Sequence, residues 1–153
     1  MKEFTKSNIY EANGRAVLDL YSDYVSENGS MLVCVVSAQA LSAGARNATE
    51  SSMTALGYGK GQTFVVLTVD DVALSSQDLF SLIEGVDPLV VIATDAPAAA
   101  ALSHAYRADV APGCACRLFG RDAIAFRDLE SMLATPEDKQ RAWALFKKIP
   151  KLD

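Results

Sequence analysis

The chain has 153 residues, enough for one domain with a sizeable core and too few for two ordinary ones. Half of the residues are hydrophobic and 22% are charged, which excludes a disordered tail, a coiled coil and a collagen. The net charge of −5 argues against a general electrostatic grip on phosphates, and it is unevenly spread: residues 1–103 carry 5 Lys or Arg against 12 Asp or Glu, while 104–153 carry 9 against 7.

In chain order, Ile9, Ala12, Ala16, Leu20 and Tyr24 recur at helical spacing with Val17 and Leu18 beside them, so an amphipathic N-terminal helix is predicted over 8–27, stopped by Asn28-Gly29. The run MLVCVVSAQA is continuously apolar and rich in β-branched residues, as a strand buried on both faces requires, and it predicts a first strand at 32–36. ALSAGARN reads as a flexible connection, and from Thr49 the pair Met53 and Leu56 predicts a helix that ends at Gly57. Gly57-Tyr58-Gly59-Lys60-Gly61 follows a helix and precedes a strand, the reverse of a phosphate-binding loop, so it is a connector.

TFVVLTVDD supplies a second buried strand at 64–68, and SSQDLFSLIEGVDP a helix with Ser N-cap candidates that ends at Gly85 and Pro88. LVVIATD is the third strand, at 89–93, with Pro97 near the start of an Ala-rich helix. Cys116–Phe119 and Ala123–Phe126 flank the turn Gly120-Arg121-Asp122 and predict a late hairpin. One or two helical turns at 128–133 then lead to Thr135-Pro136-Glu137, an N-cap with Pro at the first helical position, and a last helix runs to Ile149 before Pro150. Alternating apolar strands and helices predict a single α/β domain over 1–153, a three-layer α/β/α sandwich around a central parallel sheet. Its core is expected to hold Val33, Val35, Val65, Leu67, Val90, Ile92, Leu102 and Trp143.

In such a sheet ligands bind beyond the carboxyl ends of the strands. The first strand delivers Ser37 and Gln39 there, the second Asp70 and Asp71, and the third Thr94 and Asp95. Carboxylates at these positions have two roles open to them: capping or turn formation, which is the ordinary one, and general-base chemistry by Asp70, Asp71 or Asp95. Neighbouring carboxylates on a strand point to opposite faces and lack a third ligand, so no metal is expected, and no cofactor either. His104 has no nucleophile and orienting acid evident around it, which makes it a surface or packing residue. Cys34 reads as a buried small hydrophobe, and Cys114 with Cys116 as free thiols suited to a reducing compartment.

Two stretches of the second half, LFSLIEGVDPLVVIATDAPAAAAL and MLATPEDKQRAWALFKKI, together resemble the uracil-DNA glycosylase superfamily, especially its small bacterial members. LFSLIEGVDPLVVIATDAPAAAAL is similar to that family's helix, Pro, apolar strand and Ala-rich helix, and MLATPEDKQRAWALFKKI to its closing stretch of paired hydrophobes, Pro, Lys and Trp. MLVCVVSAQALSAG stands where the family's first strand and water-activating loop belong. The resemblance implies an α/β/α fold, but the motif residues differ: Ala38 occupies the region of the water-activating acid, and Asp128-Leu129 replaces the His-Pro pair. The cysteine set of the iron–sulfur members is also missing. The layout is likewise similar to that of the psi subunits of bacterial DNA polymerase III clamp loaders, non-catalytic relatives of that fold.

These resemblances imply a non-catalytic interaction or DNA replication and repair accessory module, the alternative being a divergent nucleobase glycosylase or small-molecule hydrolase. The expected binding cleft holds Ser37, Gln39, Thr94 and Asp128. The expected interaction surface holds Tyr10, Tyr21 and Tyr24 on the N-terminal helix and the basic pair Lys147 and Lys148 on the last one. The partner expected is another protein or a second copy of this chain, with weak or no nucleic-acid binding. No apolar run approaches the roughly 18 residues of a membrane span, and the first residues lack the apolar stretch of a signal peptide, so no membrane association and a cytoplasmic location are expected.

Overall fold

The computed structural model describes residues 16–17, 19–21, 25–26, 32–59, 61–68 and 74–152. Among these, six strands form one sheet: β1 (Val25–Ser26), β2 (Val33–Ser37), β3 (Thr63–Leu67), β4 (Val90–Ala93), β5 (Ala115–Leu118) and β6 (Arg121–Ala125), in the spatial order β1-β3-β2-β4-β6-β5. β3, β2, β4 and β6 are mutually parallel, with Val35 opposite both Val65 and Ile92, and Ile92 opposite Ile124. The two edges are antiparallel, β1 on β3 and β5 on β6. The parallel sheet expected from the apolar runs is therefore the centre of a mixed sheet, because parallel strands buried on both faces leave edges that short antiparallel strands can cover.

The helices are α1 (Ala43–Ala55), α2 (Ser76–Val86), α3 (Ala96–Tyr106) and α4 (Pro136–Phe146), with a 3₁₀ turn at Ser131–Leu133. Alternation along the strands divides the core between them. Val33, Val35, Val65, Val90, Ile92 and Ile124 pack with Ala45 and Met53 of α1 and Ala142, Leu145 and Phe146 of α4. Cys34, Val36, Phe64, Val66, Val91 and Ala93 pack on the opposite face with Leu79, Leu82 and Ile83 of α2 and Ala98, Ala99 and Leu102 of α3. Two helices on each face make three layers, and each fully buried Leu, Ile or Phe contributes about 1.5–3 kcal/mol through the area it removes from water.

The helix starts follow from local chemistry. Ser42, Ser75, Asp95 and Thr135 each accept a bond from the backbone N–H three residues on, a cap that contributes about 1 kcal/mol. α2 runs through Gly85 and ends at Asp87, whose left-handed φ of 59° precedes Pro88. The late hairpin turns at Phe119 and Gly120, both at positive φ (51° and 86°), matching the twist of its strands.

Several further expectations change. The helix predicted over 8–27 does not reach its end: Ala16, Val17, Asp19 and Leu20 are helical, but Val25 and Ser26 are extended and pair with Val66 and Val65. The open edge of β3 overrides the helical period there, and Val25 is β-branched. α1 begins at Ala43 rather than Thr49, because Ser42 caps it. The turns expected over 128–133 reduce to the single 3₁₀ turn. Trp143, expected in the core, is 36% exposed, while Ala142, Leu145, Phe146 and Ile149 form the buried stripe of the C-terminal segment. Of the other expected core residues Leu67 is half-buried, and the remainder are buried.

Candidate functional site

β3 and β4 lie on opposite sides of β2, so the direction of winding reverses beside β2, and the crevice expected to bind ligands lies between the carboxyl ends of β2 and β4. Ser37 ends β2, and its buried hydroxyl donates to Gln39 O at 2.5 Å while accepting from Gln39 N at 3.3 Å, a local turn. Thr94 follows β4, is equally buried, and donates its hydroxyl to Val36 O at 3.4 Å. Gln39 and Asp128 are exposed.

Asp95 ties the crevice together. Its Oδ1 accepts from Ala98 N at 2.8 Å, capping α3, and its Oδ2 accepts from Ala38 N at 3.2 Å across the switch point. Its backbone bridges Asp128, with Ala96 N donating to Arg127 O at 3.0 Å and Leu129 N to Thr94 O at 2.8 Å. Glu130, which the sequence did not single out, holds the other side: its carboxylate accepts from Ser42 N at 2.8 Å and from Ser42 Oγ at 2.7 Å. The loops after β2, β4 and β6 are thus brought together, and the Asp95 and Glu130 carboxylates serve backbone N–H groups and a capping hydroxyl. Asp70 and Asp71 lie outside the described residues.

The remaining titratable candidates are dispersed. His104 is exposed near the end of α3, Cys114 is exposed, and Cys116 is half-buried on the edge strand. Burial pushes the Cys34 thiol well above its ordinary value, partly opposed by the Arg121 charge. Among the described residues no group of three or more His, Cys, Asp or Glu side chains converges to hold a metal ion.

The expected interaction residues divide. Tyr10 and Tyr24 lie outside the described residues. Tyr21 is half-buried against the α2–α3 side of the core and donates its hydroxyl to Asp78 Oδ1 at 3.3 Å. Lys147 and Lys148 are exposed, and Lys147 Nζ lies 5.9 Å from the centre of the Trp143 ring. That indole borders a cleft of about 480 Å³ between α1 and α4. Its α1 wall is Gly44, Ala48, Ser51 and Ser52; its α4 wall is Lys139, Ala142, Trp143 and Phe146, with Leu133 at one end. The exposed Phe119 is different, because its ring stands edge-on to Phe80 and Tyr106 with centroids 5.3 Å away.

Neither models of protein families nor curated proteins match this chain. No described helix is long and apolar enough to cross a membrane.

Proposed function

We propose that this chain is a non-catalytic interaction module of uracil-DNA glycosylase-like fold, serving as an accessory in DNA replication or repair, in the cytoplasm, through another protein or a second copy of itself. The observation that carries the reading is the state of Asp95. Among the described residues it is the carboxylate best placed at the switch point, and both of its oxygens are engaged by backbone amides of two segments. Each oxygen accepts one backbone N–H, so the carboxylate caps α3 and fastens the loop after β2, the ordinary structural use of an Asp that follows a strand. Ala38, in the region where the resembled family has its water-activating acid, adds no carboxylate, and Asp128 stands in place of the histidine. The acidic balance of residues 1–103 supports weak or no binding of nucleic acid.

Excision assays test the reading directly. The intact chain is incubated with single-stranded DNA containing uracil or hypoxanthine, and abasic sites are counted. None above the background of DNA alone is expected. Product that disappears in Asp70→Asn, Asp71→Asn or Asp95→Asn would establish the glycosylase alternative instead.

A further inference from the structure

We propose that the cleft between α1 and α4 is a docking site for an acidic amphipathic helix of a partner protein, whose apolar side chains seat against Trp143 and whose carboxylates meet Lys139 and Lys147. The inference rests on the reading of the chain as an interaction module and assigns that module its surface and the chemistry of its partner.

Three independent features converge on this cleft. The first is the indole. Trp143 is the single Trp of the chain and lies beside the buried stripe of α4 rather than in it, leaving large apolar area at the surface. The second is the opposite wall, where α1 presents only Gly44, Ala48, Ser51 and Ser52, side chains too small to fill the space beside that ring. Two helices that border a trough of this kind match the general mode in which a third amphipathic helix lays apolar residues spaced i, i+3 and i+7 into a groove. A half-exposed Trp beside it is the side-chain type that most often anchors such interfaces.

The third feature is charge. From Pro136 to Lys151 the chain carries Lys139, Arg141, Lys147, Lys148 and Lys151 against only Glu137 and Asp138, although the whole chain is at −5. Lys139 lines the cleft, and Lys147 stands over the indole. Arg141 is paired with Asp138 at 3.3 Å. An acidic partner complements this wall; a basic one is repelled. A single nucleic-acid strand fits less well, because it requires cations that track its backbone, and the α1 wall offers Gly, Ala and Ser.

The test uses the natural fluorescence of Trp143, which reports on the cleft with no label on the protein. The intact chain is titrated with a short synthetic helix that carries leucines at i, i+3, i+4 and i+7 and glutamates elsewhere. A matched peptide with lysines for glutamates and an oligo-dT strand are the comparisons. Saturable binding of the acidic peptide with a shift of Trp143 emission to shorter wavelength is expected, and the lysine peptide should bind at least roughly tenfold more weakly. Lys139→Glu with Lys147→Glu should reverse the preference between the peptides, while Ala48→Leu, which fills the cleft without changing charge, should weaken the acidic peptide by roughly tenfold. Circular dichroism confirms that each variant is folded, and a misfolded one is replaced by Ser51→Leu.

Equal binding of the two peptides, an unshifted Trp143, or tighter binding of oligo-dT with the same emission change would overturn the assignment. None of these bears on DNA excision. A silent cleft in a protein without excision activity removes only this surface, whereas excision activity removes the non-catalytic reading itself.

Discussion

Arg121 shows how one residue can be misjudged by its neighbours in sequence. Between Gly120 and Asp122 it reads as an exposed turn residue, yet it is the first residue of β6 and 8% exposed. Its guanidinium donates from Nε to Pro88 O at 3.0 Å, from one amino group to Glu84, and from the other to Asp87 Oδ1 at 2.8 Å, while Tyr106 donates its hydroxyl to Glu84 at 2.6 Å. Burial works against the charge, but Glu84 and Asp87 outweigh it and move the guanidinium pKa up. The network fastens the end of α2 to the beginnings of β4 and β6, at the amino ends of the parallel strands, opposite the switch-point crevice. Arg121→Met keeps the apolar stem but leaves the Glu84 carboxylate without its cation, so a loss of about 3 kcal/mol in urea unfolding is expected. A loss below about 1 kcal/mol would place the pair among weak surface contacts. Only the fold could reveal this residue, because its partners lie 15 to 37 positions away.

At the scale of elements, the approach of the N-terminal segment to α2 depends on one missing side chain. A Cβ added at Gly85 would lie 2.8 Å and 3.0 Å from the two methyl carbons of Val17. The sequence reading used Gly85 as a helix terminator; its role is instead to let Val17 and Tyr21 pack on the helix, and α2 continues past it. Gly85→Leu sets two effects against each other: leucine is the better helix former by nearly 1 kcal/mol, and the crowded contact costs about 1–3 kcal/mol. The contact should win. Net destabilisation is expected, together with faster hydrogen exchange at the Tyr21 amide, which donates to Val17 O at 3.2 Å. A variant as stable as the original, with unchanged exchange at Tyr21, would show that this packing is loose. The element boundaries themselves were largely legible, because caps and apolar runs act within a few residues. β1 was not, since two residues become a strand only through the open edge of β3.

For the whole molecule, buried groups that must stay protonated link stability to alkaline pH. Burial raises the Cys34 and Cys116 thiols above their ordinary 9.0 and the Tyr58 and Tyr106 hydroxyls above 10.0; Glu84 adds to the shift of Tyr106. Each of these groups loses its proton more readily in the unfolded chain than in the folded one. Their contribution is therefore complete below about pH 9 and declines as pH rises beyond it. Cys34 is fully buried, so its thiol should contribute a distinct fall in stability above that point. Denaturation midpoints measured from pH 7 to 11 should fall more gently in Cys34→Ala, whatever that variant loses at neutral pH. Identical slopes would mean that the thiol ionises as easily in the fold as in the open chain.

By itself the sequence determined the class of fold and most of its punctuation. Four-to-five-residue β-branched runs separated by capped helices admit a doubly covered sheet with a parallel centre, and Ser75, Asp95 and Thr135 mark helix starts because a cap bonds to a backbone amide only three residues away. Tertiary structure decided what depends on distant neighbours. The same carboxylate that reads as a candidate base at Asp95 is found tied to Ala38, 57 residues earlier, and Ser42 is held by Glu130, 88 residues later. The sequence reading put Trp143 in the core, but whether an indole on a helix is covered depends on the residues opposite. Here these are the glycine, alanine and serines of α1, which leave it at the edge of an open cleft.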